Sequence, residues 1–303
     1  MNFQFENAIG NTPLVELKNM GAPKGVKIFA KLEFLNPGGS IKDRMVRHIL
    51  DHAEKTGDLQ PGATIVENTS GNTGAAIAML SAARGYRAIL TMPDKVSKEK
   101  QDALVALGAE VVVCPTAASP SSEDHYVCTA RRLKSEITGA FMINQYDNPL
   151  NSEAHFLTTG PEIWAALGDR ITAFVAAGST GGTISGVSRY LRTKKPDIET
   201  ILLDPIGSIY FRYFHERAID EKDIGSYFVE GVGEDHLARC MDFEVINDVI
   251  RFDDRVAFAT CHQLAAKEGL FCGGSSGANV WGCLQVAKRL KAPATIVTVL
   301  PDS

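Results

Sequence analysis

The chain has no excess of positive charge. Its 31 basic and 36 acidic side chains leave a net charge of −5, so it lacks the basic face that tracks a phosphate backbone, and no nucleic-acid partner is expected. No stretch reaches the roughly 18 consecutive apolar residues of a membrane helix, so no membrane association is expected. The opening MNFQFENAIG lacks a basic segment followed by an apolar one. No signal peptide is read there, and a cytoplasmic location is expected. Cysteine is sparse: Cys114, Cys128, Cys240, Cys261, Cys272 and Cys283 form no C-x-x-C pair. That spacing excludes a dense disulfide framework and predicts reduced thiols. Neither a G-x-x-x-x-G-K-[ST] loop nor a G-x-G-x-x-G fingerprint is present. A nucleoside-triphosphate cradle and a dinucleotide site are therefore disfavoured.

What is present is an ordinary globular balance, 45% apolar and 22% charged over 303 residues. That length exceeds the usual single domain and predicts two domains or one large α/β body. Short Val/Ile/Leu-rich runs alternate with helical patterns. Strands are predicted at 63–67, 86–92, 110–114, 141–145, 172–177, 200–204 and 294–300, with an early one near 26–32. Helices are predicted at 74–84, 98–107, 122–137, 152–167, 184–193, 255–268 and 277–290. Strands that are apolar on both faces belong between helical layers, which predicts an α/β fold with parallel sheets. Residues 207–236 read as an irregular surface excursion.

Four glycine-rich turns stand out: Asn36-Pro37-Gly38-Gly39-Ser40-Ile41-Lys42, Thr69-Ser70-Gly71-Asn72-Thr73-Gly74, Ser179-Thr180-Gly181-Gly182-Thr183 and Gly273-Gly274-Ser275-Ser276-Gly277. The third follows a predicted strand and opens a helix. Two glycines allow close backbone approach, hydroxyls donate, and the free N–H groups of a helix start favour an anion such as phosphate. The second offers hydroxyls, an amide and helix N–H groups, a set suited to a carboxylate. Lys42 sits at or near a helix start, where a cation is electrostatically disfavoured. Consumption of its amine in a covalent bond would remove that conflict. His48 with His52, and His125 with Cys128, are spaced as metal ligands could be, but lack third and fourth partners, so no metal is expected.

These motifs, with Ile9-Gly10-Asn11-Thr12-Pro13-Leu14 before them and Leu300-Pro301-Asp302 after, resemble the cysteine synthase / cystathionine β-synthase family over essentially the whole chain. The resemblance implies a two-domain fold-type II enzyme that uses pyridoxal 5′-phosphate. A smaller mobile domain of residues 41–147 would bind the substrate carboxylate. Residues 1–40 with 148–303 would bind the cofactor. Lys42 matches the lysine that carries the cofactor covalently and acts as the catalytic base. Asn72 matches the residue at the cofactor's 3′-oxygen, and Ser275 the residue at its pyridine nitrogen. Ser179, Thr180, Gly181, Gly182 and Thr183 match the 5′-phosphate loop. Thr69, Ser70, Gly71, Thr73 and Gln145 match the substrate-carboxylate site.

A neutral hydroxyl at the ring nitrogen makes a weaker electron sink than a protonated ring, which favours departure of a β-substituent. The implied reaction is β-replacement on an activated L-serine. The foremost reading is O-acetylserine plus sulfide to cysteine and acetate. Alternatives are cystathionine formation from homocysteine, a cysteine-consuming, sulfide-releasing variant, and a serine/threonine dehydratase. A homodimer is implied, and docking of a serine acetyltransferase is left open. Two positions depart from the family pattern. Ser179 stands where glycine is usual, and Glu234 stands where the cystathionine β-synthase branch commonly carries tyrosine. Glu234 is read as an acceptor-side acid, able to repel a carboxylate or bond an amino group.

Overall fold

The structure, a computed structural model, describes residues 5–69, 71–119 and 121–303. In chain order the elements are β1 (Leu14–Glu16), β2 (Val26–Leu32), α1 (Lys42–Thr56), β3 (Thr64–Asn68), α2 (Asn72–Arg84), β4 (Arg87–Pro93), α3 (Lys98–Ala106), β5 (Glu110–Cys114) and α4 (Tyr126–Glu136). They continue with α5 (Leu150–Leu157), α6 (Thr159–Leu167), β6 (Ala173–Ala177), α7 (Gly182–Lys194), β7 (Glu199–Pro205), α8 (Tyr210–Glu216), β8 (Asp248–Phe252), α9 (Asp254–Glu268), α10 (Gly274–Arg289) and β9 (Ala294–Leu300). The chain divides into two compact units. One is built on Lys42–Gln145 and takes in Glu6; the other comprises Asn7–Ile41 and Tyr146–Ser303.

The first unit holds a parallel sheet in the order β3-β4-β5. Val66, Ile89 and Ala130 form the heart of an apolar cluster there, with Val112 and Leu133 packed against it. Ser97 caps α3 by accepting from the Lys100 N–H, as a hydroxyl at that position should.

The second unit holds a six-stranded sheet in the order β1-β2-β9-β6-β7-β8. All neighbours are parallel except β1, which runs antiparallel to β2 from Leu14 opposite Lys31. Side chains alternate between the two faces, as the twofold period of a strand requires. In β6, Ala173 and Val175 join one core with α9 and α10, through Ala257, Leu264, Ala278 and Val286. Phe174 and Ala176 join the other with α6 and α7, through Ile163, Leu167, Ile184 and Leu191. Both faces are dry, which is why these strands read as unbroken apolar runs.

Several expectations are corrected. Residues 141–145 are not a strand. Phe141 makes one bridge to Ile65, and Asn144 then turns the chain with φ 53°. The helix predicted at 152–167 is two helices, separated at Thr158 with φ −124° and ψ −68°. The helix predicted from residue 122 starts at Tyr126, because Ser122–Asp124 are spent on turns. The excursion at 207–236 contains α8, and β1 and β8 were not foreseen. Cys114, Cys128, Cys240, Cys261, Cys272 and Cys283 are all reduced thiols, none of them in a disulfide. Among the described residues no helix is long and apolar enough to cross a membrane.

Candidate active site

In the six-stranded unit, β6 ends at Ala177 and the chain passes through Gly178–Gly181 into α7. Buried Asn279 of α10 fixes this exit. Its Oδ1 accepts from the Ala177 N–H at 2.6 Å, and its Nδ2 donates to the Val299 carbonyl at 2.8 Å. Gly181 caps α7 in the left-handed region, φ 82°. As at any helix start, the first N–H groups of this 13-residue helix have no carbonyl partner within it, a setting that favours anions; that of Gly182 donates to Thr180 Oγ1 at 3.4 Å.

The loop's side chains are held from behind. Asn151 Nδ2 donates to Thr180 Oγ1 at 3.0 Å. Thr183 Oγ1 lies 3.2 Å from Nε2 of buried His155, whose Nδ1 is 2.9 Å from Thr159 Oγ1. Tyr210 Oη donates to the Ser179 carbonyl at 2.6 Å. Sequence reasoning missed Asn151, His155 and Asn279, because a lone buried polar residue on a helix does not reveal its distant partner.

Ser179 Oγ donates to Glu234 Oε1 at 2.5 Å. The two positions that depart from the family pattern are thus partners, 55 residues apart. Burial raises the Glu234 carboxyl above its ordinary pKa, against the lowering effects of the Ser179 hydroxyl, His236 and Tyr146. His236 Nδ1 lies 3.6 Å from Glu234 Oε2. Asp235, Tyr210 and Tyr227 also share its field.

Ser275 lies in the first turn of α10 and is buried; its Oγ is 3.4 Å from Asp302 Oδ1. Asp302 also accepts from the Gly273 N–H through its carbonyl, at 3.1 Å, and bridges to Ser40. The Ile41 N–H donates to the Pro301 carbonyl at 2.9 Å. One short segment, Pro301–Asp302, therefore ties down both the Ser275 turn and the residue that immediately precedes Lys42.

In the three-stranded unit, Lys42 opens α1 and is half-buried. The 69–74 turn leaves β3 and enters α2. Thr69 is fixed by its N–H on the Thr91 carbonyl at 3.0 Å, and Gly71 is the N-cap. Asn72 is exposed as the first residue of α2, whereas Thr73 is buried and its Oγ1 donates to Gln145 Oε1 at 2.7 Å. Ser70 lies outside the described residues. The structure thus brings Thr69, Gly71, Thr73 and Gln145 to one end of this unit.

Glu67 supports that end, and sequence reasoning did not single it out. It is 1% exposed, and its Oε2 accepts from the Asn144 N–H at 2.8 Å. Burial raises its pKa to about 7, opposed by the N–H groups of Asn144, Ile143 and Gln145. Between about pH 4.5 and 7 the folded form holds a proton that the unfolded chain releases. Stability must then fall as pH rises through that window and reach its full cost above it. Glu67→Gln should remove this dependence, worth roughly 3 kcal/mol at 1.36 kcal/mol per pKa unit. Urea unfolding at pH 5 and 8 measures it; equal slopes with pH in both proteins would refute it.

The family profile described as pyridoxal-phosphate dependent enzyme matches residues 5–302. The chain belongs to the pyridoxal-phosphate-dependent enzyme family. It is 43% identical over 97% of its length to a cystathionine beta-synthase of Apis mellifera, of which it covers 58%. To the Saccharomyces cerevisiae cystathionine beta-synthase it is 40% identical over 97% of its length, covering 60%. The chain therefore spans less than two thirds of the length of these relatives. It is 37% identical over 97% of its length to an O-acetylserine dependent cystathionine beta-synthase of Bacillus subtilis, covering 92%. Among solved structures, the O-acetylserine dependent cystathionine beta-synthase of Helicobacter pylori superposes with TM-score 0.90 at 34% identity, covering 100% of this chain and 95% of that one. An O-ureido-L-serine synthase superposes with TM-score 0.91 at 34% identity, covering 100% and 92%.

The donor set fits the family's cofactor. The α7 start offers N–H groups and hydroxyls for a phosphate, and Ser275 offers a neutral buried hydroxyl. Glu234, bonded to Ser179, opposes an anion at that loop when it is ionised.

Proposed function

We propose that the chain catalyses β-replacement on an activated L-serine of the O-acetylserine type, with a thiol-bearing amino acid such as homocysteine as acceptor. The observation that carries this is the 37% identity, over 97% of this chain and 92% of the relative, to an O-acetylserine dependent cystathionine beta-synthase. The names of the relatives support the acceptor. A second reading takes sulfide as acceptor and cysteine as product, as the resemblance to cysteine synthases implies.

When bound, pyridoxal phosphate supplies an aldehyde for the substrate amine and a ring that draws electrons from Cα. The helix start at Ser179–Thr183 binds its phosphate and fixes its position. Asn72 and Ser275 would orient the ring, Ser275 through a neutral hydroxyl. Thr69, Ser70, Gly71, Thr73 and Gln145 hold the substrate carboxylate. The Lys42 amine would hold the cofactor covalently and would be the base that takes the proton from substrate Cα.

The test offers serine and O-acetylserine to the cofactor-loaded protein, each with homocysteine, cysteine or sulfide, and identifies products by mass spectrometry. Cystathionine is expected. Cysteine formed from sulfide alone would establish the second reading, and no replacement product in any combination would overturn both.

Glu234 adds a pH prediction. As it ionises, its charge opposes the cofactor phosphate, so affinity for pyridoxal phosphate should weaken as pH rises. Glu234→Gln should bind roughly tenfold more tightly wherever the parent's Glu234 is ionised, about 1.4 kcal/mol. Binding titrations of wild type and variant from pH 4.5 upward should diverge as Glu234 ionises; parallel curves over the whole range would refute the role.

A further inference from the structure

Two of the six thiols meet beside the Ser275 turn. Helix α9 ends at Gly269, φ 70°, and the chain reverses there, so that Cys272 returns past Cys261 of α9. Cys261 Sγ donates to the carbonyl of Gly273, the residue after Cys272, at 3.2 Å. Cys272 immediately precedes the residue whose carbonyl Cys261 meets, and both thiols are half-buried. Helix α10 leaves room for the sulfur. A Cβ built at Gly277 would stand 2.5 Å from Cys261 Sγ. The pair therefore occupies a niche closed by a residue without a side chain. The other cysteines differ in setting: Cys114, Cys240 and Cys283 are buried, and Cys128 is on α4 of the other unit.

The chemistry of the two sulfurs is unequal. Interaction with the Cys272 thiol pulls the Cys261 pKa down to about 7, against desolvation. The same interaction and burial push Cys272 upward. A thiolate near neutral pH next to a second thiol is the arrangement that exchanges with external disulfides.

We propose that Cys261 and Cys272 form a reversible dithiol–disulfide site for low-molecular-weight disulfides, and that its oxidation alters the Gly273–Ser275 turn. The Cys261 thiolate attacks the external disulfide, forming a mixed disulfide and releasing one small thiolate. Cys272, losing its proton, attacks the Cys261 sulfur and releases the second. Two protein thiols and one small disulfide become one protein disulfide and two small thiols, a balanced two-electron exchange.

Oxidation removes the Cys261 hydrogen bond to the Gly273 carbonyl and fixes Cys272 to α9. The adjoining turn is held on its other side by Asp302, through the Gly273 N–H, Ser275 Oγ and Ser276 Oγ. A pull at Cys272 therefore reaches Ser275 within three residues. The consequence for cofactor binding rests on the role proposed above for Ser275; formation of the bond does not.

The full chain, freed of cofactor, is equilibrated in graded mixtures of glutathione and oxidised glutathione, alkylated, and mapped without reduction. A single Cys261–Cys272 cross-link should appear in one two-electron step. Cys272→Ser should accumulate a glutathione adduct at Cys261, and Cys261→Ser should abolish the cross-link. No cross-link under the most oxidising mixture, or independent modification of the two cysteines, would overturn the proposal. Pyridoxal phosphate uptake is then titrated on reduced and oxidised protein. Oxidised wild type should bind about fivefold more weakly or worse, recover on reduction, and differ from Cys261→Ser, which should ignore the oxidant. A cross-link with unchanged uptake would overturn the effect on the turn. Absence of uptake in every state would defeat the cofactor reading, while the peptide map would still decide the thiol chemistry.

Discussion

Lys42→Ala should lose turnover by about 10²–10⁴-fold from the missing base alone, and more from the missing covalent anchor, while folding at least as well as the parent. Lys42 is half-buried at the first position of α1. A cation at a helix N-terminus is disfavoured by about 0.3–1 kcal/mol, and alanine is the best helix former. Removing the charge thus relieves the helix while removing the chemistry. Lys42→Arg separates the two effects. It keeps the charge and its cost, but its guanidinium stays protonated and neither bonds an aldehyde nor takes a proton. Turnover, urea unfolding and a borohydride trap of pyridoxal phosphate followed by peptide mapping read all three properties. A Lys42→Ala protein that still turns over, or a trapped label on another lysine, would contradict the assignment.

That conflict between charge and helix was legible in the sequence because it is local: a lysine, two glycines and a helical pattern adjoin. The same holds for the strands. Residues 110–114 read as EVVVC and form β5 over that span, since a short β-branched run declares itself by composition. What was not legible is non-local. Tyr210–Glu216, YFRYFHE, is rich in aromatics that favour strands as readily as helices. It folds as α8, and Tyr210 packs into the core with Ile184 and Leu202. Short β8, DVIRF, gains its identity only by pairing with β7. The 141–145 segment has strand-like composition, yet Glu67 draws its N–H groups into a turn instead. The Ser179–Glu234 pair is the sharpest case. Each residue was visible as a departure from pattern, but only folding makes them partners. Glu234, read from sequence as an acceptor-side acid, is found bonded to the proposed phosphate loop.

Glycines of similar appearance in the two loops should give opposite results. Gly181→Ala should destabilise the protein by about 2–5 kcal/mol. The left-handed backbone, φ 82°, costs about 1–2 kcal/mol for any other residue. A Cβ there would lie 2.4 Å from Met241 Cα and 2.8 Å from its N–H nitrogen. Backbone atoms cannot rotate away, so overpacking adds about 1–3 kcal/mol. Against the roughly 5–15 kcal/mol of a typical protein this lowers the melting temperature without preventing folding, and the displaced helix start should also bind pyridoxal phosphate poorly. Gly71→Ala meets no atom within 4 Å, and φ −129° is open to any residue. Its stability should stay within about 0.5 kcal/mol of wild type. If the 69–74 turn holds the substrate carboxylate, the added methyl should nevertheless raise KM for the amino-acid donor. Thermal unfolding and donor titrations on both variants separate a glycine required by the protein's own packing from one kept clear for a ligand. A stable Gly181→Ala protein, or a Gly71→Ala protein with unchanged KM, would show that the corresponding loop has been assigned the wrong role.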